Sequence, residues 1–305
     1  GGFGVDFSLM ARNFTEATYV ERNEALCPIA RHNFTLLGLS HAEVVCGDGT
    51  QYLQSMPVAD NRLSPSTSTL IYLDPARRDN HGRKVFGMEE CTPDVVSLAD
   101  ALLQRADVVL VKLSPMLDWH EAVRKLRHVV EVHIVSVANE CKELLLVLSL
   151  EERPLRVFCA NDEQRFCYLV SDAPHADMPC SSPSASYLLV PNSSVMKAGC
   201  FREIEATFGV PQISADAHLF LSENPLPEFP GRQFHILQVT SMNKRELRAA
   251  FQGVSQANIA VRHFPLTADA LRHRLKLKDG GNLYVFATTV GKEHRLFLTE
   301  KCDAC

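Results

Sequence analysis

Asp74, Pro75, Arg77 and Arg78 follow directly on four apolar residues in the run LIYLDPARRD. A carboxylate, a rigid kink and two planar cations at the mouth of a buried strand form a binding chemistry more readily than a packing one. Charged side chains are seldom buried unless paired, and open α/β sheets bind ligands beyond the carboxyl ends of their strands. The competing reading is a surface ion-pair cluster, which contributes little to stability. Two further carboxylates occupy comparable places. Glu21 closes the short apolar run ATYVE, where a carboxylate can accept both hydroxyls of a ribose. Asp48, in CGDG after the run AEVVC, lies where an adenine amino group could be held. The chain opens on GGFGVD, a glycine turn of the kind that lets backbone N–H groups approach a ligand closely. A dinucleotide-binding site shares these features, but Phe7 stands where its third fingerprint glycine belongs.

These residues need a scaffold of alternating strands and helices, and the first 150 residues supply one. Strands are expected at 17–21, 42–49 (ending in a turn), 69–73 and 107–115, with helices at 24–38, 93–106 and 118–129 between or after them. VEVHIVSV and KELLLVLSL complete the series, joined by ANEC, which is short enough for a hairpin. Such alternation predicts a parallel sheet covered by helices on both faces. Three segments follow from the pattern: 1–152, a middle segment 153–230, and 231–305. The middle segment contains the polar stretch SDAPHADMPCSSPSAS and the loop-to-helix entry VPNSSVMKAGCF, and it closes on the proline-rich NPLPEFPG. The last segment alternates strand and helix and ends in two strands around GKE, a small α+β arrangement.

Hydrophobic residues make up 46% of the chain and charged residues 22%, which excludes a disordered or fibrous protein. No apolar run reaches membrane-spanning length and no charged-then-apolar leader appears, so neither a membrane span nor secretion is expected. Ten cysteines at irregular spacings fit a reducing cytoplasm better than a disulfide framework. The terminal CDAC lacks a second cysteine pair, so no metal is expected. The net charge of −5 is unevenly spread. Residues 231–301 hold 12 Lys and Arg against 5 Asp and Glu, whereas the rest of the chain holds 19 against 31. A basic module on an acidic body suits a polyanionic partner, and a solvated helix face is the plain alternative.

With Glu21, Asp48 and LDPARR in place, the first half resembles the class I S-adenosylmethionine-dependent methyltransferases, whose fold is a Rossmann-like sheet. The resemblance implies that Gly1 to Gly4, with Phe3 and Asp6, wrap the methionine part of S-adenosylmethionine. It gives Glu21 the ribose, Asp48 with Gly49 the adenine, and Asp74 a place beside the transferred methyl group. The family's first strand is missing from the sequence. Asp74 and Pro75 match the first half of the family's motif after the fourth strand, but Arg77 stands where an aromatic is usual. In that setting Asp74 and the Pro75 carbonyl would accept the two hydrogens of an exocyclic amino group and aim its lone pair. Pro75 fixes the turn, while Arg77 and Arg78 would stack on a base or clamp a phosphate. Lys112 would line the rim. Ser114 and Pro115 replace the cysteine nucleophile of uridine C5 methylation, which disfavours that reaction. Trp119 could stack on a flipped base, though packing is the commoner use of a lone tryptophan.

The tail resembles the THUMP-like C-terminal domain of a bacterial methyltransferase group through NIAVRHFPLTADALRHRLKLKDGGNLYVFATT. THUMP domains are associated with RNA, so Arg272, Arg274, Lys276 and Lys278 are expected to contact phosphates, with tRNA or rRNA as partner and no membrane. Methylation of a small molecule or protein, and a cofactor-binding module without catalysis, remain alternatives to methylation of an RNA base.

Overall fold

The computed structural model describes residues 2–58, 68–76, 88, 91–171 and 185–302. They fall into two compact units, one running to Val132 and including Leu144–Leu155, the other comprising His133–Glu143 and the chain from Arg156 onward.

In the first unit the expected alternation is present nearly element by element. Helix α1 (Val5–Met10) precedes β1 (Ala17–Glu21), α2 (Leu26–Leu36), β2 (Ala42–Cys46) and α3 (Gly49–Ser55). Then come β3 (Leu70–Leu73), α4 (Val95–Leu103), β4 (Val108–Leu113) and α5 (Trp119–Lys125), followed by β5 (Val129–Val137) and β6 (Glu140–Leu148), each of which is divided between the two units. Strands β1 and β2 run parallel with Glu21 opposite Cys46, and β3 and β4 run parallel with Leu73 opposite Val111. β6 pairs antiparallel with β4, giving the order β3-β4-β6-β5. The reversal originates at Ala138 and Asn139, both at positive φ (50° and 61°), the backbone that closes a two-residue hairpin. The ANEC hairpin thus turns a sheet expected to be parallel into a mixed one.

Aspartates start three of the helices. Asp48, Asp94 and Asp118 accept backbone N–H groups at the first turns of α3, α4 and α5, each such cap contributing about 1 kcal/mol. Beneath the glycine turn, Ala11, Tyr19, Ala30, Phe34 and Leu39 form a buried cluster joined by Phe7. The rings of Phe7, Tyr19 and Phe34 meet pairwise with centroids 5.0–5.3 Å apart, so aromatic packing supports the turn from below. Cys27 and Cys46 are joined as a disulfide, a departure from the expectation of unpaired thiols. Cys141, Cys159, Cys167 and Cys200 form no disulfide among the described residues.

The second unit adds the antiparallel pair β7 (Arg156–Asn161) and β8 (Gln164–Leu169), which the sequence pattern did not announce. Next come β9 (Tyr187–Pro191), α6 (Ser193–Ala198), α7 (Phe201–Phe208) and β10 (Phe220–Ser222). The chain ends through β11 (Gly231–Ser241), α8 (Lys244–Ala250), β12 (Asn258–Arg262), α9 (Ala268–Leu275), β13 (Leu283–Val290) and β14 (Glu293–Lys301). Six strands form one sheet in the order β10-β9-β11-β14-β13-β12. It therefore runs across the 230/231 junction, with Phe234 of β11 opposite Leu188 of β9. Gly231 is required at that crossing, because a Cβ there would overlap the Val190 carbonyl and the Phe229 ring. The segment PNSSVMKAG is a helix entry: Asn192 caps α6 through Val195 N–H, and Gly199 ends the helix at φ 69°. No helix among the described residues is long and apolar enough to cross a membrane.

Candidate active site

The glycine turn is held from both sides. Gly2 donates its N–H to Glu21 Oε2 at 2.7 Å, and Tyr19 donates its hydroxyl to the Gly2 carbonyl at 2.6 Å. Asn23 N–H donates to Glu21 Oε1, also at 2.7 Å. Burial, then the neighbouring Glu21 carboxylate, pushes the Tyr19 phenol up to about 12, so it remains a donor at neutral pH. Glu21 is only 7% exposed, which makes its paired backbone donors necessary. Gly2 and Gly4 sit at φ 64° and 74°. A Cβ on Gly4 would come within 2.6 Å of the Phe34 ring, itself locked in the aromatic cluster. Gly4→Ala is therefore expected to lower stability by about 2–4 kcal/mol, from left-handed backbone strain plus overpacking. Urea unfolding measures it, and an unchanged midpoint would show that the turn tolerates a side chain.

The helix that leaves this turn reaches the carboxylate after β3. In β4 the alternation buries Val109, Val111 and Leu113, so Lys112 projects to the opposite face. Its ammonium lies 2.6 Å from Asp6 Oδ2, on the first turn of α1, and 3.0 Å from Asp74 Oδ2. Tyr72 donates its hydroxyl to the same Asp6 oxygen at 2.7 Å. Hydrogen bonds from Lys112 and then Tyr72 hold the Asp6 carboxyl below the usual aspartate range against the opposing effect of burial. Burial pushes the Lys112 ammonium down, but Asp6 and Asp74 outweigh it and keep its pKa above that of an ordinary lysine. Lys112 stays charged and Asp6 stays ionised throughout the neutral range.

The expected site residues thus fall into a connected set and an outlying set. Glu21 binds the turn at Gly2, and four residues along the chain Asp6 binds Lys112, which binds Asp74. Asp48 stands two residues beyond β2, where Gly47 N–H donates to the Glu21 carbonyl at 3.0 Å. One Asp48 oxygen is committed to capping, accepting from Thr50 N–H, Thr50 Oγ1 and Gln51 N–H, and Gly49 is the first residue of the capped helix. Phe3 is exposed. Pro75 is followed by Ala76, which exchanges two backbone hydrogen bonds with Thr92 and so pins the end of the loop. Arg77 and Arg78 lie outside the described residues. Trp119 is buried at 4% exposure and stacks on His120, so it packs and offers no base platform.

In the second unit, Arg272 is held by Asp269 and by Asp279, the latter at 2.7 Å, so its charge is largely compensated within α9 and the loop beyond it. Arg274, Lys276 and Lys278 are exposed and carry no ion pair among the described residues. Sequence reasoning missed Tyr72. The signal was present: residues 72 and 74 share one face of β3 by period two, and register continues Asp74 toward Lys112 on the neighbouring strand.

Comparisons with known proteins place this geometry among relatives. A THUMP domain-like family matches residues 231–301, and a ferredoxin-like domain family matches 187–230. A solved structure from Porphyromonas gingivalis W83, assigned as a methyltransferase, aligns with a TM-score of 0.84 at 30% identity, covering 99% of this chain and 76% of that one. Two uncharacterized S-adenosylmethionine-dependent methyltransferases, from the CDC 1551 and H37Rv strains of Mycobacterium tuberculosis, are each 28% identical over 270 residues. Those alignments cover 86% of this chain and 68% of each relative.

Proposed function

This chain belongs to the S-adenosylmethionine-dependent methyltransferases and carries a THUMP-like C-terminal region, and on that premise we propose that it methylates an exocyclic amino group of a base in structured RNA, tRNA or rRNA, in the cytoplasm. The observation that carries the reading is the direct bonding of the glycine-turn helix to the acceptor-side carboxylate, Asp6 through Lys112 to Asp74. That contact supports reading the cofactor-binding and acceptor-binding features as parts of one site.

The residues fit the cofactor. Gly2 and Gly4 give the turn its left-handed backbone, with open space about Gly2, and Glu21, the last residue of β1, and Asp48, two residues beyond β2, stand at the ends of adjacent parallel strands, where a ribose and its base would be met. When bound, S-adenosylmethionine supplies a methyl carbon on a sulfonium, whose C–S electrons return to sulfur as the new N–C bond forms. The protein's part is alignment. In this proposal Asp74 and the Pro75 carbonyl accept the two amino hydrogens and direct the nitrogen lone pair. Asp74 then takes the proton that the methylated nitrogen sheds and passes it to water. Holding two reactants in line can account for a large share of such a rate. Arg77 and Arg78 stack on the base or hold its phosphate. The second unit captures the RNA backbone through Arg274, Lys276 and Lys278, with Arg272 ordering that surface.

The test is incubation of labelled S-adenosylmethionine with total RNA from a strain lacking the gene, followed by nucleoside analysis. Label is expected in an N-methylated nucleoside; label confined to protein or small molecules would remove RNA as the substrate. The basic surface gives a second expected result. Changing Arg274, Lys276 and Lys278 together to alanine flattens the dependence of log K on log salt by about 2, since each phosphate contact contributes roughly 0.7–0.9. Filter binding of tRNA between low and moderate salt measures it, and an unaltered slope would place the RNA elsewhere.

A further inference from the structure

We propose that Lys112 is a positioning residue for methyl transfer, an internal cation that fixes Asp74 against the cofactor-turn helix rather than a ligand for substrate phosphate. The proposal rests on the methyl-transfer reading of the site. Three elements meet at its ammonium: α1 through Asp6, the end of β3 through Asp74, and β4 itself. Tyr72 closes the group by donating to the same Asp6 oxygen that Lys112 holds. The lysine side chain is 20% exposed, whereas Asp6 and Asp74 are 44% and 53% exposed. The cation is thus the sheltered member, and the acids are the members that face solvent. A phosphate ligand would show the reverse, with the ammonium outermost.

Two like charges brought to one point repel unless a cation stands between them, so removing Lys112 both frees and separates the carboxylates. With Asp74 Oδ2 tied to Lys112, Oδ1 has no partner among the described residues and is the oxygen left for an acceptor N–H. Lys112 therefore selects which Asp74 oxygen reaches the acceptor, and through Asp6 it sets the distance of that oxygen from the glycine turn. A displacement of about 1 Å in such a constellation costs on the order of 100-fold in rate.

The experiment uses the full chain with Lys112→Met and Lys112→Arg. Lys112→Met is expected to lower kcat about 100-fold on total RNA while changing S-adenosylmethionine affinity, by calorimetry, less than about threefold. Lys112→Arg should recover to within about tenfold of the parent, because a guanidinium can bridge two carboxylates. An unchanged kcat overturns the proposal, as does a raised KM for RNA at constant kcat, the signature of a phosphate ligand. Joint loss of folding, cofactor affinity and rate without rescue by arginine would mark a merely structural lysine and overturn it too. If the parent enzyme labels protein or metabolites instead of RNA, the substrate reading fails, yet the ratio of variant to parent rates on that acceptor still decides the role of Lys112. Carboxyl NMR titration needs no acceptor at all: the Asp6 midpoint should rise in Lys112→Met, because the hydrogen bond that holds it down most is lost, and a fixed midpoint counts against the inference.

Discussion

Glu21→Gln weakens S-adenosylmethionine binding about 100-fold in isothermal titration. A ribose presents two hydroxyl donors, and a carboxylate meets both with charged acceptors. Glutamine keeps one acceptor and turns a donor toward the other hydroxyl or toward the N–H groups of Gly2 and Asn23, which Glu21 now satisfies. Losing one charge-assisted hydrogen bond costs about 1.5–3 kcal/mol, and every 1.4 kcal/mol is about tenfold in affinity. Because Glu21 is buried and braces the glycine turn, thermal unfolding of the same variant separates a lost ligand contact from a lost turn. Stability should fall modestly while affinity falls by two decades. A dissociation constant within threefold of the parent would move the ribose away from β1.

Asp74→Asn lowers the single-turnover rate of methyl transfer by about 100- to 1000-fold and leaves cofactor affinity within about threefold. The amide retains the shape of the carboxylate and can accept one hydrogen bond, but it takes no proton from the methylated nitrogen. Removal of one positioned acid–base or electrostatic partner commonly has that size of effect. The cofactor contacts proposed here lie on the glycine turn and β1, so ground-state affinity should be spared. Rapid-quench measurement with labelled cofactor decides the matter. A large loss of affinity with little loss of rate would make Asp74 a cofactor ligand and leave the acceptor without its carboxylate.

Much of the first unit was legible because its strands are short apolar runs that stop at a polar residue. ATYVE, AEVVC and LIYL become β1, β2 and β3 at their expected places, and the acids Glu21, Asp48 and Asp74 stand at or just past their ends. Helix α3 was hidden because GDGTQYLQS carries turn residues and few apolar ones; it forms on the Asp48 cap. Asp48 consequently serves the backbone as well as the proposed adenine site. The Cys27–Cys46 pair was not visible in irregular cysteine spacing, since α2 and β2 bring together residues 19 apart in the chain. The close tie of Arg272 to Asp269 could have been found from their helical spacing of three, but the second tie, to Asp279, depends on how the chain turns after α9.

The amino-acid order alone determined which residues could bind and react: acids at strand ends, glycines before a helix, and an excess of basic residues in the last 70 or so positions. Local rules suffice for these, because strand period, capping and turn chemistry act within a few residues. Only the tertiary structure decided how their charges are used. Lys112 is 106 residues from Asp6 and 38 from Asp74, and no local pattern reveals that one ammonium lies between them. Sheet pairing of β3 with β4 and the packing of α1 make that contact. It turns a lysine expected on the rim of the site into a bridge between Asp6 and Asp74.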